Sequence, residues 1–375
     1  MNKNVSPVTS AEIECTFTLR IKDDVFRPGR VRVHLPAPIN ADWLFMGQIL
    51  SSSPAFRMVS IEDHPQRSVW FDEILEKNTE FSVTYAFESA PEKISPDIEE
   101  LNKTPQPGQK IEPAVIKKFE ESDHCDCGSY TGPSANNVTV MDLVSETGIT
   151  RMPTSEVSRI LGLTPEELEK AKKKPGDLIK RIFDTCAGSG LACTSLENCG
   201  QGEPREKNGI MSRNEILVAL MRSCGIPARW QGGFRIAHTE KTIKDAKTNN
   251  PETKDAEIKD VENKGAKTEI KNQTTGVVVP ADWAIVNAAP YGWIYMDAQA
   301  AHEALEAGNS ELAAFYFGGI DALRIPTAAK TAAGLYPARD YKRSDERYNL
   351  FGEVEFEERG LEAGEYSTTV QMNFK

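Results

Sequence analysis

The sequence predicts an α+β protein: a β-rich N-terminal domain, then a core in which a helix packs on an antiparallel sheet. Three observations carry this expectation. Residues from about 11 to 92 alternate apolar and polar side chains in short runs. The middle of the chain repeats its apolar residues at helical spacing instead. Strand patterns then resume after the helical region, in "RWQGGFRIA" and in "GVVVPADWAIVNAAPYGWIYMDAQ".

The elements follow in order. "RVRVHL" (Arg30 to Leu35), "SVWFDEI" (Ser68 to Ile74) and "EFSVTYAFES" (Glu80 to Ser89) alternate, with Pro, Asn, Ser and Asp between them. That pattern suits antiparallel strands with one wet face, so residues 1–92 read as a small sandwich-like domain. Residues 93–135 are rich in Pro, Glu, Lys and Ser and read as a linker. The linker holds His124, Cys125 and Cys127 in "SDHCDCG". No second Cys/His pair follows at zinc spacing, so this is read as a loop and no metal is expected. In "LTPEELEKAKKK", Thr164 is placed to cap a helix with Pro165 at its first position. "PGDLIKRIFDTC" sets Leu178, Ile179, Ile182 and Phe183 on one helical face. "KNGIMSRNEILVALMRSCGIPARWQGGF", Lys207 to Phe234, reads as a glycine turn, a helix and a strand. Ile216, Leu217, Leu220 and Met221 form the apolar stripe of that helix. Residues 239–275 are Lys, Asp, Glu, Thr and Asn with no aromatic residue, and read as a disordered surface insert in a core spanning 136–300. Residues 301–375 are expected to be a C-terminal extension packed on that core.

Composition excludes several classes of partner. The net charge of −12 lacks the basic excess that a phosphate-binding face needs, so no nucleic acid is expected. No apolar run spans a bilayer, and the first residues lack the apolar core of a signal peptide. A cytoplasmic protein without a membrane partner is expected. Seven cysteines at irregular spacing suit reduced thiols better than a disulfide framework. Nothing calls for a cofactor.

A helix ending in "GIPARW", a strand, then "W…GW…D" resembles the transglutaminase-like superfamily, whose members are papain-type thiol acyl-transfer folds. "YGWIYMD" followed by "AAFYFGGIDALRI" is similar to the bacterial transglutaminase-like subgroup. The likeness is loose over residues 11–90 and good over 176–330, and "GIPAR" together with "GW…D" is its specific part. It implies a central helix on an antiparallel sheet. It also implies a triad: Cys at the helix start, His on the next strand and Asp on the strand after. A helix N-terminus and an imidazole lower a thiol's pKa, the imidazole moves the proton, and the carboxylate fixes its tautomer. Trp283, Gly292, Trp293 and Asp297 fall in register with the family pattern, which puts Ala281 in the His slot and Asp297 in the acid slot. Trp283 and Trp293 are then expected in the cleft wall. Counting back from Gly225 puts the Cys slot at Ile210; counting forward from Gly209 puts it at Met211. Neither is a nucleophile. Ser212 is adjacent but has no matching base, and Cys224, near the helix C-terminus, reads as a core thiol. His34, His64 and His302 show no partner pattern.

The resemblance therefore implies a scaffold that keeps Asp297 and has lost its catalytic pair, with a peptide or protein as the ligand of the old cleft. Two alternatives stand beside it. One is an active cysteine acyl transferase or peptidase using displaced residues, Cys199 with His238. The other is a structural scaffold acting through the β-domain and the charged insert.

Overall fold

A computed structural model describes residues 10–39, 41–61, 64–104, 152–191, 211–236, 278–330, 334–343, 351–362 and 364–374. The alternating N-terminal segments form two sheets. The first contains β1 (Ala11–Ile21), β3 (Leu44–Ser53), β6 (Phe81–Ser89) and β15 (Tyr366–Phe374), in the order β15-β1-β6-β3. The second contains β2 (Gly29–Pro36), β4 (Met58–Val59), β5 (Ser68–Leu75), β13 (Glu353–Phe356) and β14 (Arg359–Gly360), in the order β14-β13-β2-β5-β4. β1 buries every second residue from Ala11 to Ile21, as period-two alternation requires. Phe17, Val31, Val33, Phe71, Phe81 and Val83 fill the space between the sheets, with the Phe71 and Phe81 rings edge-on at 5.4 Å.

Residues 301–375 do not form one extension on the core. Their first part stays with the core, but β13 pairs with β2 and β15 pairs with β1 from Ile13↔Phe374 to Ile21↔Tyr366. The last strands of the chain thus complete the N-terminal sandwich, whose boundary at residue 92 is not a boundary in space. The reason is the open edge of β1: without β15 its hydrogen-bonding groups would face no strand on that side. The start of the expected linker is also part of the fold. It supplies β7 (Glu92–Lys93) and α1 (Ile98–Lys103), whose Leu101 is fully buried.

The core sheet runs β10-β9-β8-β12, from β8 (Ala228–Ile236), β9 (Val278–Asn287), β10 (Trp293–Met296) and β12 (Arg324–Ala328). All pairs are antiparallel. A two-residue strand, β11 (Gly319–Ile320), pairs with β7. Helices α2 (Thr154–Leu161), α3 (Pro165–Ala171), α4 (Pro175–Ala187), α5 (Arg213–Ser223), α6 (Ala298–Glu306) and α7 (Ser310–Phe315) accompany it. Thr164 caps α3 in a reciprocal capping box with Glu167. The protein is α+β, and among the described residues no helix is long and apolar enough to cross a membrane.

Helix α5 is the central one. It was expected to bury one stripe, yet Arg213, Asn214, Glu215 and Arg222 are buried together with the apolar residues. Its C-terminus explains the "CGIPAR" signal. Gly225 has φ +78°, which lets the Ile226 N–H reach the Met221 carbonyl and the Gly225 N–H reach Arg222. The chain then turns into β8, and the Arg222 Nε holds the carbonyl of Ala228 at 2.8 Å.

Candidate functional site

The helix start is set by "SRNE". The Ser212 Oγ accepts from the Glu215 N–H at 3.0 Å, and the Glu215 carboxylate accepts from the Ser212 N–H at 2.7 Å. This capping box makes Ser212 the N-cap of α5. Serine followed three residues later by glutamate is legible in the sequence, and it places the helix start just past the Ile210/Met211 slot. Met211 is half-buried against the core, and Ile210 lies outside the described residues.

Strand register decides what faces that helix start. Trp230 pairs with Ala284 and Gly232 with Asp282, so their side chains share the α5 side of the sheet. Gln231 pairs with Trp283 and Gly233 with Ala281, so these share the other side. The residue opposite the helix N-terminus is therefore Asp282, while Ala281, in the expected His slot, faces away. Ala281 sits in a small apolar cluster with Trp43, Trp283, Tyr295 and Ile320. Trp43 comes from the N-terminal domain, and its ring lies edge-on to Trp283 at 6.1 Å. Trp283 is consequently fully buried packing rather than a cleft wall. Trp293 is half-buried, with the Arg229 guanidinium 4.0 Å from its ring centre.

Asp282 lies in a chain of buried polar groups. Its carboxylate accepts from the Ser212 hydroxyl in a very short hydrogen bond, and from the Trp230 indole N–H at 2.8 Å. Gly232 permits the Trp230 contact, since a Cβ there would lie 2.2 Å from the Trp230 ring. The Asn214 amide nitrogen stands 2.8 Å from the Asp282 carbonyl, 3.2 Å from its carboxylate and 3.1 Å from the carboxylate of Asp297. The Asn214 carbonyl accepts from the Ala298 N–H at 2.8 Å. Asp297 caps α6 through the Ala300 N–H, and its other oxygen meets the Arg324 guanidinium at 2.5 Å. Arg324 in turn holds Asp321 at 2.7 Å, and the Tyr316 hydroxyl donates to the same Asp321 oxygen at 3.0 Å. Ser212, Asp282, Asp297 and Arg324 are all buried.

These surroundings set the proton equilibrium at Asp282. Burial pushes its carboxyl up to about 7, helped by the negative charge of Glu215 and opposed by the hydrogen bonds from Ser212, Trp230 and Asn214. Among the described residues no cation is one of its partners and no imidazole reaches it. His302 bonds the Ala187 carbonyl, His34 bonds Ser68 in the sandwich, and His64 bonds Gln66. Cys224 is buried as expected, at the far end of α5, and burial pushes its thiol up to about 11. Cys199, His238, the 239–275 insert and His124, Cys125 and Cys127 lie outside the described residues.

Asp297 thus lies at the α5 N-terminus, and Ala281 does not. Asn214, Trp230, Asp282, Asp321 and Arg324 do the joining there; Trp230, Asp321 and Arg324 lie within "GIPARW" and "AAFYFGGIDALRI", but the motif spacing gives none of the five a place in the site. An open groove of about 800 Å³ lies elsewhere, between α1, α3 and α4, lined by Ile98, Leu178 and the cations Lys170, Lys174, Lys180 and Arg181 among others. None of the Ser212–Arg324 network lines it. Compared with known proteins, the chain matches no family model, and no curated protein or solved structure matches it significantly.

Proposed function

We propose that this chain is a transglutaminase-like domain protein that no longer performs acyl transfer and acts as a binding or interaction module for a peptide or protein. The observation that supports the reading most is the pairing at the α5 N-terminus. A serine hydroxyl meets a buried carboxyl where thiol chemistry needs a thiol beside an imidazole. The Ser212 oxygen already accepts from Glu215 and donates to Asp282, and Asn214 ties the retained Asp297 to the same cluster. Groups engaged in this way hold α5, β9 and α6 together. The buried cysteines Cys15, Cys186 and Cys224, none of them in a disulfide, are in keeping with a reducing compartment, and we assign the protein to the cytoplasm.

The test is chemical labelling of the intact protein, followed by peptide mass spectrometry. One sample receives a fluorophosphonate, which reports an activated serine. A second receives iodoacetamide at mildly acidic pH, where only a low-pKa thiol reacts quickly. Slow, unselective labelling in both is the expected result. Rapid modification of Ser212, or selective alkylation of Cys199, would overturn the reading in favour of an active enzyme.

A further inference from the structure

We propose that β15 pairs with the β15 of a second copy of this chain, antiparallel about a two-fold axis, joining two four-stranded sheets into one of eight. β15 is an edge strand: among the described residues it pairs with β1 alone. Its nine residues, "YSTTVQMNF", hold register with β1 without a shift and include no charge and no proline. Free sheet edges are normally blunted by lysines, prolines, bulges or shortness, because an open row of N–H and C=O groups recruits another strand. β15 has none of these devices. The opposite edge, β3, is also uncharged, but two register shifts interrupt it, between Phe45 and Gln48 and between Ile49 and Ser51.

The charge pattern selects a second copy as the occupant. A chain of net charge −12 carries an excess of carboxylates, and like charges in an interface are costly. β15 avoids this. Centred on Val370, antiparallel self-pairing sets Thr369 opposite the partner's Gln371 and Ser367 opposite the partner's Asn373. These are neutral groups able to hydrogen-bond across the seam. The neighbouring strand adds complementarity. Arg20 lies beside Ser367 and Glu14 beside Asn373, so each row across the seam runs from Arg20 at one end to the partner's Glu14 at the other. The nine-residue pairing supplies roughly eight main-chain hydrogen bonds. Because the contact is self-complementary, it closes at two copies.

The experiment is light scattering of the full chain over a micromolar dilution series, with two double variants. Thr369→Lys with Gln371→Lys sets lysine opposite lysine at both symmetric pairs, and Thr369→Glu with Gln371→Glu sets acid opposite acid. Both positions are exposed. The expected result has three parts: the natural chain at twice the 41.5 kDa protomer mass, each variant alone at the protomer mass, and the two variants mixed back at the doubled mass. Recovery on mixing also establishes that both variants are folded. The proposal is overturned by a natural chain that stays monomeric at the top of the series. Variants that remain dimeric, variants that fail to recombine, or growth beyond two copies through β3 overturn it equally.

Discussion

Asp282 and Asp297 lie on either side of one asparagine amide, and they differ in what else they meet. Asp297 meets a guanidinium, Arg324, which also meets Asp321. Among the described residues Asp282 meets the neutral donors Ser212, Trp230 and Asn214, and has the acidic Glu215 nearby. One end of the cluster balances buried charge with charge. At the other, burial pushes the carboxyl up to about 7, so that it takes up a proton as pH falls below neutral. The largest expected effect breaks the first end. Arg324→Met leaves Asp297 and Asp321 buried without their cation, and removal of one partner from a buried pair costs about 3–5 kcal/mol. Urea unfolding at neutral pH measures it. A loss under ~1 kcal/mol would show that Arg324 does not hold the two acids.

The second end predicts a pH dependence. The folded carboxyl of Asp282 sits at about 7, against an ordinary value of 3.8. The folded state therefore binds the proton more tightly than the unfolded chain does. The stability from this group is complete below the ordinary value. It falls as pH rises through the window up to about 7, and it is flat above that. The change is on the order of a few kcal/mol. Asp282→Asn keeps an acceptor for Trp230 and Ser212 but cannot titrate, so unfolding free energies at pH 5 and pH 8 should differ less in the variant than in the natural protein. Equal differences in the two proteins would place the buried proton on another group.

Asn214→Ala tests the joint between the two ends. It removes the amide shared by both carboxylates and leaves the Ala298 N–H without its acceptor. A cost of about 2 kcal/mol is expected, below that of Arg324→Met, because hydrogen bonds rather than a cation are lost. Faster amide exchange at Ala298 should accompany it; unchanged exchange there would mean that Asn214 does not anchor α6.

How much of this was legible in the sequence depends on the range of the interaction. Local signals carried far. Alternation located β2, β5 and β6, and Thr164–Pro165 located the start of α3. "GIPAR" marked the end of α5, where Gly225 takes a positive φ. Two things were not legible. The return of β15 to β1 joins residues at opposite ends of the chain, and nothing local in "YSTTVQMNF" names its partner. The face of β9 was the second. Aligning a motif along the strand put Ala281 at the site, but a one-residue slip in a strand exchanges its two faces, and the face turned to α5 carries Asp282. Arg324 lies inside "AAFYFGGIDALRI", but its pairing with Asp297 could not be found by pattern, because the α6–α7 segment and β11 separate the two along the chain.

The smallest effect sharpens the role of Ser212. In a structural site this serine is a helix cap with a second bond to a carboxyl. Ser212→Ala then removes the acceptor for the Glu215 N–H, while the Glu215 side chain still accepts from the residue-212 N–H. Half of the capping box survives, so the loss should be about 1 kcal/mol. The variant also removes a hydroxyl donor to Asp282, which lowered that carboxyl's proton affinity. The descent of stability with pH should therefore extend to higher pH than in the natural protein. Urea titrations between pH 6 and 9 detect both changes. A cost near zero with an unmoved pH profile would mean that the hydroxyl is not shared between helix and strand, and the contrast between Asp282 and Asp297 would then rest on Trp230 and Asn214 alone.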